Sequence, residues 1–238
     1  MECSVCGQIG HNKRNKKCIY NVIYSRLEMM DSFTHTYAYY SKAFEYLLLH
    51  YPNIFCVAES NLVWNGRFLE NTEFIDTNCK YNYIVIKLSL NNVHANYLVI
   101  DKKSKIVSRY EPHGGFFADK KLDKLLADYA LHLGLTYIPA EKYCPKFGIQ
   151  FVSFDKRGMC QTAVLYSILR KLDPVNAKFK VGSMDSMLAN LELRRVASIF
   201  LTHIYYKLPK ELRTSYLLYN DLSVFAKQAI QGNLNKIF

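Results

Sequence analysis

The sequence is poor in the features that mark most non-globular chains. Nowhere does it run to the roughly 18 consecutive apolar residues that a membrane-spanning helix needs. Glycine and proline are scarce, 10 and 6 among 238 residues, too few for a disordered or low-complexity protein. The first residues, Met1 to Cys18, lack the apolar centre of a signal peptide, so secretion is not expected. Acidic residues are outnumbered, 20 against 31 Lys and Arg, and the net charge of +11 points to an acidic partner without choosing among nucleic acid, protein or small anion. An even, regularly spaced cysteine set is also missing. Seven irregularly placed cysteines argue against a disulfide framework and suit a reducing compartment. No internal repeat is present.

What the chain does have is hydrophobic material, half of its residues, enough for one sizeable core or two small ones. The composition and pattern predict an α+β fold, a small mixed or antiparallel sheet packed by helices. Two units are expected: an N-terminal one over 1–20 and a larger one over 21–238.

The N-terminal unit carries Cys3, Cys6, His11 and Cys18. Three thiolates and an imidazole are a usual tetrahedral set for structural zinc. Gly7 and Gly10 let the backbone wrap, and Lys13, Arg14, Lys16 and Lys17 crowd the last loop. The run Cys6-Gly-Gln-Ile-Gly-His11 resembles the first half of a retroviral-type zinc knuckle, although here six residues separate His11 from Cys18 and Lys16 stands where the knuckle's last ligand falls. The resemblance implies one structural zinc ion, and contact with single-stranded nucleic acid through the basic loop or docking to protein.

Further on, an apolar stripe through Phe33, Tyr37, Tyr40, Phe44, Leu47 and Leu48 predicts a helix from Ser32 to about His50. Residues 19–58 contain helical material, with Tyr51-Pro52-Asn53 stopping the helix, and the polar stretch 59–82 holds Trp64 in what reads as a turn that could line a groove. Tyr83–Leu90, His94–Ile100 and Ile106–Glu111 are rich in β-branched and aromatic residues and predict three strands. Folding the second hairpin about Lys102-Lys103 makes paired residue numbers sum to 205, which sets His94 opposite Glu111. A carboxylate beside an imidazole orients a base and stabilises its cation.

Cys160 follows Gly158 and opens a run (Ala163, Val164, Leu165, Tyr166, Ile168, Leu169, Leu172) that predicts a buried helix. Unpaired N–H groups and the helix dipole at that N-terminus favour the nucleophilic thiolate. His113 is a rival base with no evident acid, while His132 and His203 fall on predicted helices and read as structural. Ser183–Leu208 and Asp221–Ile230 are further predicted helices.

The chain order His94, Glu111, Gln150, Cys160, with 111 − 94 = 17 residues between base and acid, resembles the clan of cysteine proteases that holds adenoviral protease and the ubiquitin-like-protein (SUMO) proteases. The phrases His94-Ala-Asn-Tyr-Leu-Val-Ile-Asp and Arg109-Tyr-Glu-Pro-His-Gly are similar to a branch found in large nucleocytoplasmic DNA viruses. Ala95 stands where that family commonly has an aromatic residue, and the Gln150–Cys160 interval is longer than in its best-known members. The resemblance implies a circularly permuted papain-like fold and a thiol protease that processes a viral precursor or removes a ubiquitin-like modifier. It assigns Cys160 as nucleophile, His94 as base, Glu111 as the acid that orients it and Gln150 as an oxyanion donor, with no catalytic cofactor. It places the protein in the host cytoplasm, virus factory or virion. Two other readings stand beside it. One is an acetyl-CoA-dependent acyltransferase using the same triad; the other is a non-enzymatic zinc-knuckle protein that binds nucleic acid or protein.

Overall fold

The two richest β-branched runs form the longest strands of the computed structural model. This describes residues 10, 12, 14–15, 18–26, 37–52, 54–58, 61–72, 79–153, 159–172 and 186–207. Strands β4 (Tyr83–Leu90) and β5 (His94–Asp101) pair antiparallel from Tyr83↔Asp101 to Leu90↔His94. The turn between them puts Asn91 and Asn92 at φ +52° and +57°. Asparagine tolerates that left-handed region better than most residues, so the turn is tight and His94 opens β5 directly beside it.

Strand β6 (Ile106–Tyr110) pairs with β5 in a register that corrects the sequence reading. The pairs run from Asp101↔Ile106 to Tyr97↔Tyr110, so their numbers sum to 207 and not 205. The reason is the turn. It takes four residues, Lys102 to Lys105, with the Asp101 carboxylate accepting from the N–H groups of Lys103 and Ser104 and with Lys105 at φ +56°. A two-residue slip preserves face, because strand side chains alternate with period two. His94, Asn96, Glu111 and His113 therefore still share one side of the hairpin, with Asn96 rather than His94 at the level of Glu111.

The sheet is mixed, in the order β3-β2-β4-β5-β6-β7. Beyond β4 lie β1 (Phe55–Val57) and β2 (Leu62–Trp64), both parallel to it, and β3 (Leu69–Glu70), antiparallel to β2. These short strands fall where the sequence reading places no strand; pairing with β4 makes strands of β1 and β2, and pairing with β2 makes one of β3. Trp64 is buried rather than groove-lining; its indole N–H donates to Asp119 Oδ2 at 3.2 Å. The other oxygen of Asp119 caps helix α3 (Lys120–His132), accepting from Lys121 N and Leu122 N. One carboxylate thus ties β2 to α3. The α3 crossover leads to β7 (Thr136–Ile138), parallel to β6.

Each face of the sheet has its own core. Ile84, Ile86, Leu98, Ile100 and Val107 pack with Leu122, Leu126 and Ala130 of α3. On the other face Val85, Tyr97, Val99 and Tyr110 meet helices α2 (Tyr37–His50), α6 (Cys160–Leu172) and α7 (Ser186–Lys207). Helix α6 buries Ala163, Val164, Leu165, Tyr166 and Ile168, as its apolar run predicts. Each large side chain among them contributes about 1.5–3 kcal/mol by leaving water, which fixes the residue at the head of the helix. Helix α1 (Ile19–Arg26) packs on α7, and the short helices α4 (Ala140–Tyr143) and α5 (Ile149–Ser153) lead into α6.

Cys56 and Cys79, 23 positions apart, form a disulfide with Cα atoms 6.1 Å apart. It is one cross-link between β1 and the segment before β4, and among the described residues Cys18, Cys144 and Cys160 are free, so no disulfide framework is formed there. Among the described residues no helix is long and apolar enough to cross a membrane. Three of the expected zinc ligands, Cys3, Cys6 and His11, lie outside the described residues, as does the helix expected over 221–230. Cys18, the fourth ligand, is buried at the head of α1, its N–H donating to Asn15 O at 2.9 Å.

Candidate active site

Glu111 leaves the end of β6 into the interior, 3 % exposed. A buried carboxylate demands donors, and three reach it. His94 Nε2 lies 2.7 Å from Oε1, the His113 backbone N–H donates to the same oxygen at 3.0 Å, and Asn96 Nδ2 donates to Oε2 at 3.0 Å. The Glu111 N–H donates to the Cys144 sulfur at 3.3 Å. Burial alone would raise the carboxyl's affinity for protons; hydrogen bonds from His113 and His94 outweigh it and hold Glu111 well below the usual carboxylate range.

The backbone around Glu111 is set by two glycines. Gly114, at φ +104°, and Gly148 let the turn after β6 lie against the segment before α5, with Gly148 N–H donating to His113 O at 2.7 Å and Gln150 N–H to Pro112 O at 3.2 Å. A Cβ on Gly148 would stand 2.1 Å from Pro112 O, so only glycine fits this approach.

Cys160 opens α6, as expected, and lines with His94 a cavity of about 400 Å³. Tyr40 of α2, Asn61, Lys87 of β4 and Gln161 complete much of its wall. Burial depresses the basicity of His94, but the Cys160 sulfur and Glu111, as hydrogen-bond partners and as charges, raise it further, to about 9. Nε2 is engaged by Glu111, which leaves Nδ1 as the nitrogen for the sulfur. The arrangement sets a thiol, an imidazole and a carboxylate in series, the order that a thiol nucleophile, its base and an orienting acid would need.

The chain matches no protein-family model, no curated protein and no solved structure. The site therefore rests on its own geometry.

That geometry brings together three of the four residues singled out in the sequence: His94, Glu111 and Cys160. Gln150 is buried in the first turn of α5 with its Oε1 unpartnered, and it is not among the described residues lining the cavity. His113 does have an acid partner, contrary to the sequence reading. Its Nδ1 lies 3.4 Å from Glu111 Oε1 and its ring stacks on His94 with centroids 4.7 Å apart. The same three side chains, His94, Glu111 and His113, are close enough together to share a metal ion. Asn96 and Cys144 escaped sequence reasoning. Asn96 carried a signal, standing two places from His94 on the same strand face. Cys144 carried none; burial pushes its thiol up to about 12, so it is an inert seat for the Glu111 backbone and no second nucleophile. His132 and His203 sit on α3 and α7 away from the triad.

Proposed function

We propose that this chain is a thiol peptidase of the clan its motif order resembles, with the papain-like arrangement that order implies. The observation that carries the reading is the 2.7 Å contact of His94 with a buried carboxylate, on a cavity shared with a cysteine at the head of a buried helix. Cys160 attacks a peptide or isopeptide carbonyl as thiolate. The His94 imidazolium gives its proton to the departing amine, and water, deprotonated by His94, releases the acyl group. Glu111 keeps the ring oriented and supports its charge. The substrate class is a protein: a viral precursor or a ubiquitin-like conjugate.

The pH profile tests this mechanism. His94 is protonated below about 9, so the proton for the leaving amine is available there and lost above it. For an amide substrate kcat/KM is expected to fall as pH rises through about 9. Alkylation of Cys160 by iodoacetamide is expected not to fall over the same range, because iodide leaves without needing a proton from His94. Cleavage that keeps rising beyond pH 10, or that survives in Cys160→Ala, removes the thiol–imidazolium mechanism.

The zinc reading of Cys3, Cys6, His11 and Cys18 enters the proposal through ligand type and spacing, together with the buried placement of Cys18. The metal would hold the N-terminal segment and take no part in cleavage. Metal analysis is expected to find one zinc per chain in the purified protein and none after joint Cys3→Ala and Cys18→Ala substitution. Equal zinc in both proteins rules the site out.

A further inference from the structure

Tyr40 is one of the residues lining the Cys160 cavity, and its hydroxyl is a polar group that the proposed triad does not use. Tyr40 is 6 % exposed, its ring packs edge-on against Phe44 with centroids 5.0 Å apart, and its hydroxyl oxygen is buried with no hydrogen-bond partner among the described residues. A hydroxyl taken out of water and left unpaired costs about 1–3 kcal/mol. Such a group in a native structure calls for a reason, and at the rim of a nucleophile the reason is a partner that arrives with the reaction. A carbonyl oxygen is an acceptor, and it becomes a far stronger one when the sulfur adds to its carbon.

We infer that Tyr40 is a catalytic residue, its O–H donating to the oxyanion that forms when Cys160 attacks a carbonyl. The inference rests on the reading of Cys160 as nucleophile and adds a residue that the motif order does not supply. In the step, the Cys160 sulfur forms a bond to the carbonyl carbon and the carbonyl π pair moves onto oxygen. Tyr40 donates a hydrogen bond to that oxygen and keeps its proton. Collapse of the intermediate restores C=O and expels the leaving group.

Three features suit Tyr40 to this task. It comes from α2, a 14-residue helix packed against α6 and α7, so the hydroxyl is held rigidly and needs little reorganisation. Burial first, and then the neighbouring Cys160 sulfur, hold the phenol far above its ordinary range, so it stays protonated and remains a donor at every working pH. It also lies on the cavity wall, whereas Gln150, the donor implied by the motif order, is not among the described lining residues.

Tyr40→Phe removes the hydroxyl and keeps the ring, and two small reagents read the consequence without knowledge of the natural substrate. Acylation of Cys160 by p-nitrophenyl acetate passes through a tetrahedral oxyanion; alkylation by iodoacetamide does not. Tyr40→Phe is expected to slow acylation by about 10²- to 10³-fold, the scale of one lost oxyanion donor, and to leave the alkylation rate within about twofold of the parent. An unchanged acylation rate overturns the assignment. Equal slowing of both reactions also overturns it, because the hydroxyl would then be supporting the thiolate or the fold. Cys160→Ala, run in parallel, separates the two layers. If acylation is the same in that variant as in the parent, the thiol reading fails and the Tyr40 role with it. If acylation depends on Cys160 but not on the Tyr40 hydroxyl, only the Tyr40 role fails.

Discussion

Cys160→Ala is expected to lower kcat/KM for a peptide substrate by at least about 10⁴-fold, and His94→Ala by nearly as much. The two act as one unit, so the double variant is expected to be scarcely worse than either single one. Glu111→Gln is expected to be milder, about 10²- to 10³-fold, the range of a weakened acid–base component, and the hydrogen bonds around it say why. The new amide oxygen can accept from His94 and from the His113 N–H, as Oε1 does now. The new NH2 group would face the Asn96 amide, whose Oδ1 is buried and unpartnered, so a flip of Asn96 turns a donor–donor clash into a hydrogen bond. Structure is kept and only the charge supporting imidazolium is lost. Steady-state kinetics of the four variants check the ranking; Glu111→Gln as severe as Cys160→Ala would show that the carboxylate does more than orient and stabilise.

Gly148→Ala should damage the protein far out of proportion to one methyl group. The added Cβ meets Pro112 O at 2.1 Å, Gly114 N at 2.7 Å and the His113 carbonyl carbon at 2.8 Å. All three are backbone atoms, so no side chain can turn aside. We expect a loss of stability on the order of 3 kcal/mol, the upper range of overpacking, read as a lowered denaturation midpoint. The turn that must move carries Glu111 and His113, and a displacement of ~1 Å at a triad member costs about 10²-fold in rate. Gly134→Ala is the control. Its Cβ meets nothing within 4 Å, but Gly134 sits at φ +70° after α3, so it should pay only the backbone penalty of about 1 kcal/mol and keep its activity. Equal rates for both variants would show that the 112–114 turn does not set the site.

Where the sequence speaks clearly, it does so through burial patterns. The β-branched runs at 83–90 and 94–101 sit buried in the middle of the sheet, and the apolar run after Cys160 is a helix covered on most sides; local composition matches what tertiary structure demands. Strands β1 to β3 are two or three residues long and are defined by pairing, β1 and β2 along β4 and β3 along β2, information that lies outside their own segments. The hairpin register depends on how many residues the Asp101 carboxylate gathers into the turn, which strand composition does not encode. His113 reads as lacking an acid because it follows Pro112, which ends the strand; the turn after β6 folds it back, with Nδ1 3.4 Å from Glu111 Oε1 and its ring stacked on His94.

The parity of the β5–β6 hairpin has a consequence for how this segment can vary in length. Adding or removing two residues in the Lys102–Lys105 turn returns every side chain to its own side of the sheet and slides the acid by one pleat, about 7 Å. Adding or removing one residue sends the acid to the opposite side, where it meets the wrong core. The turn lies at the other end of the hairpin from His94, yet its parity decides whether the imidazole and the carboxylate share a side of the sheet: lengths of one parity keep them on one side, and lengths of the other part them.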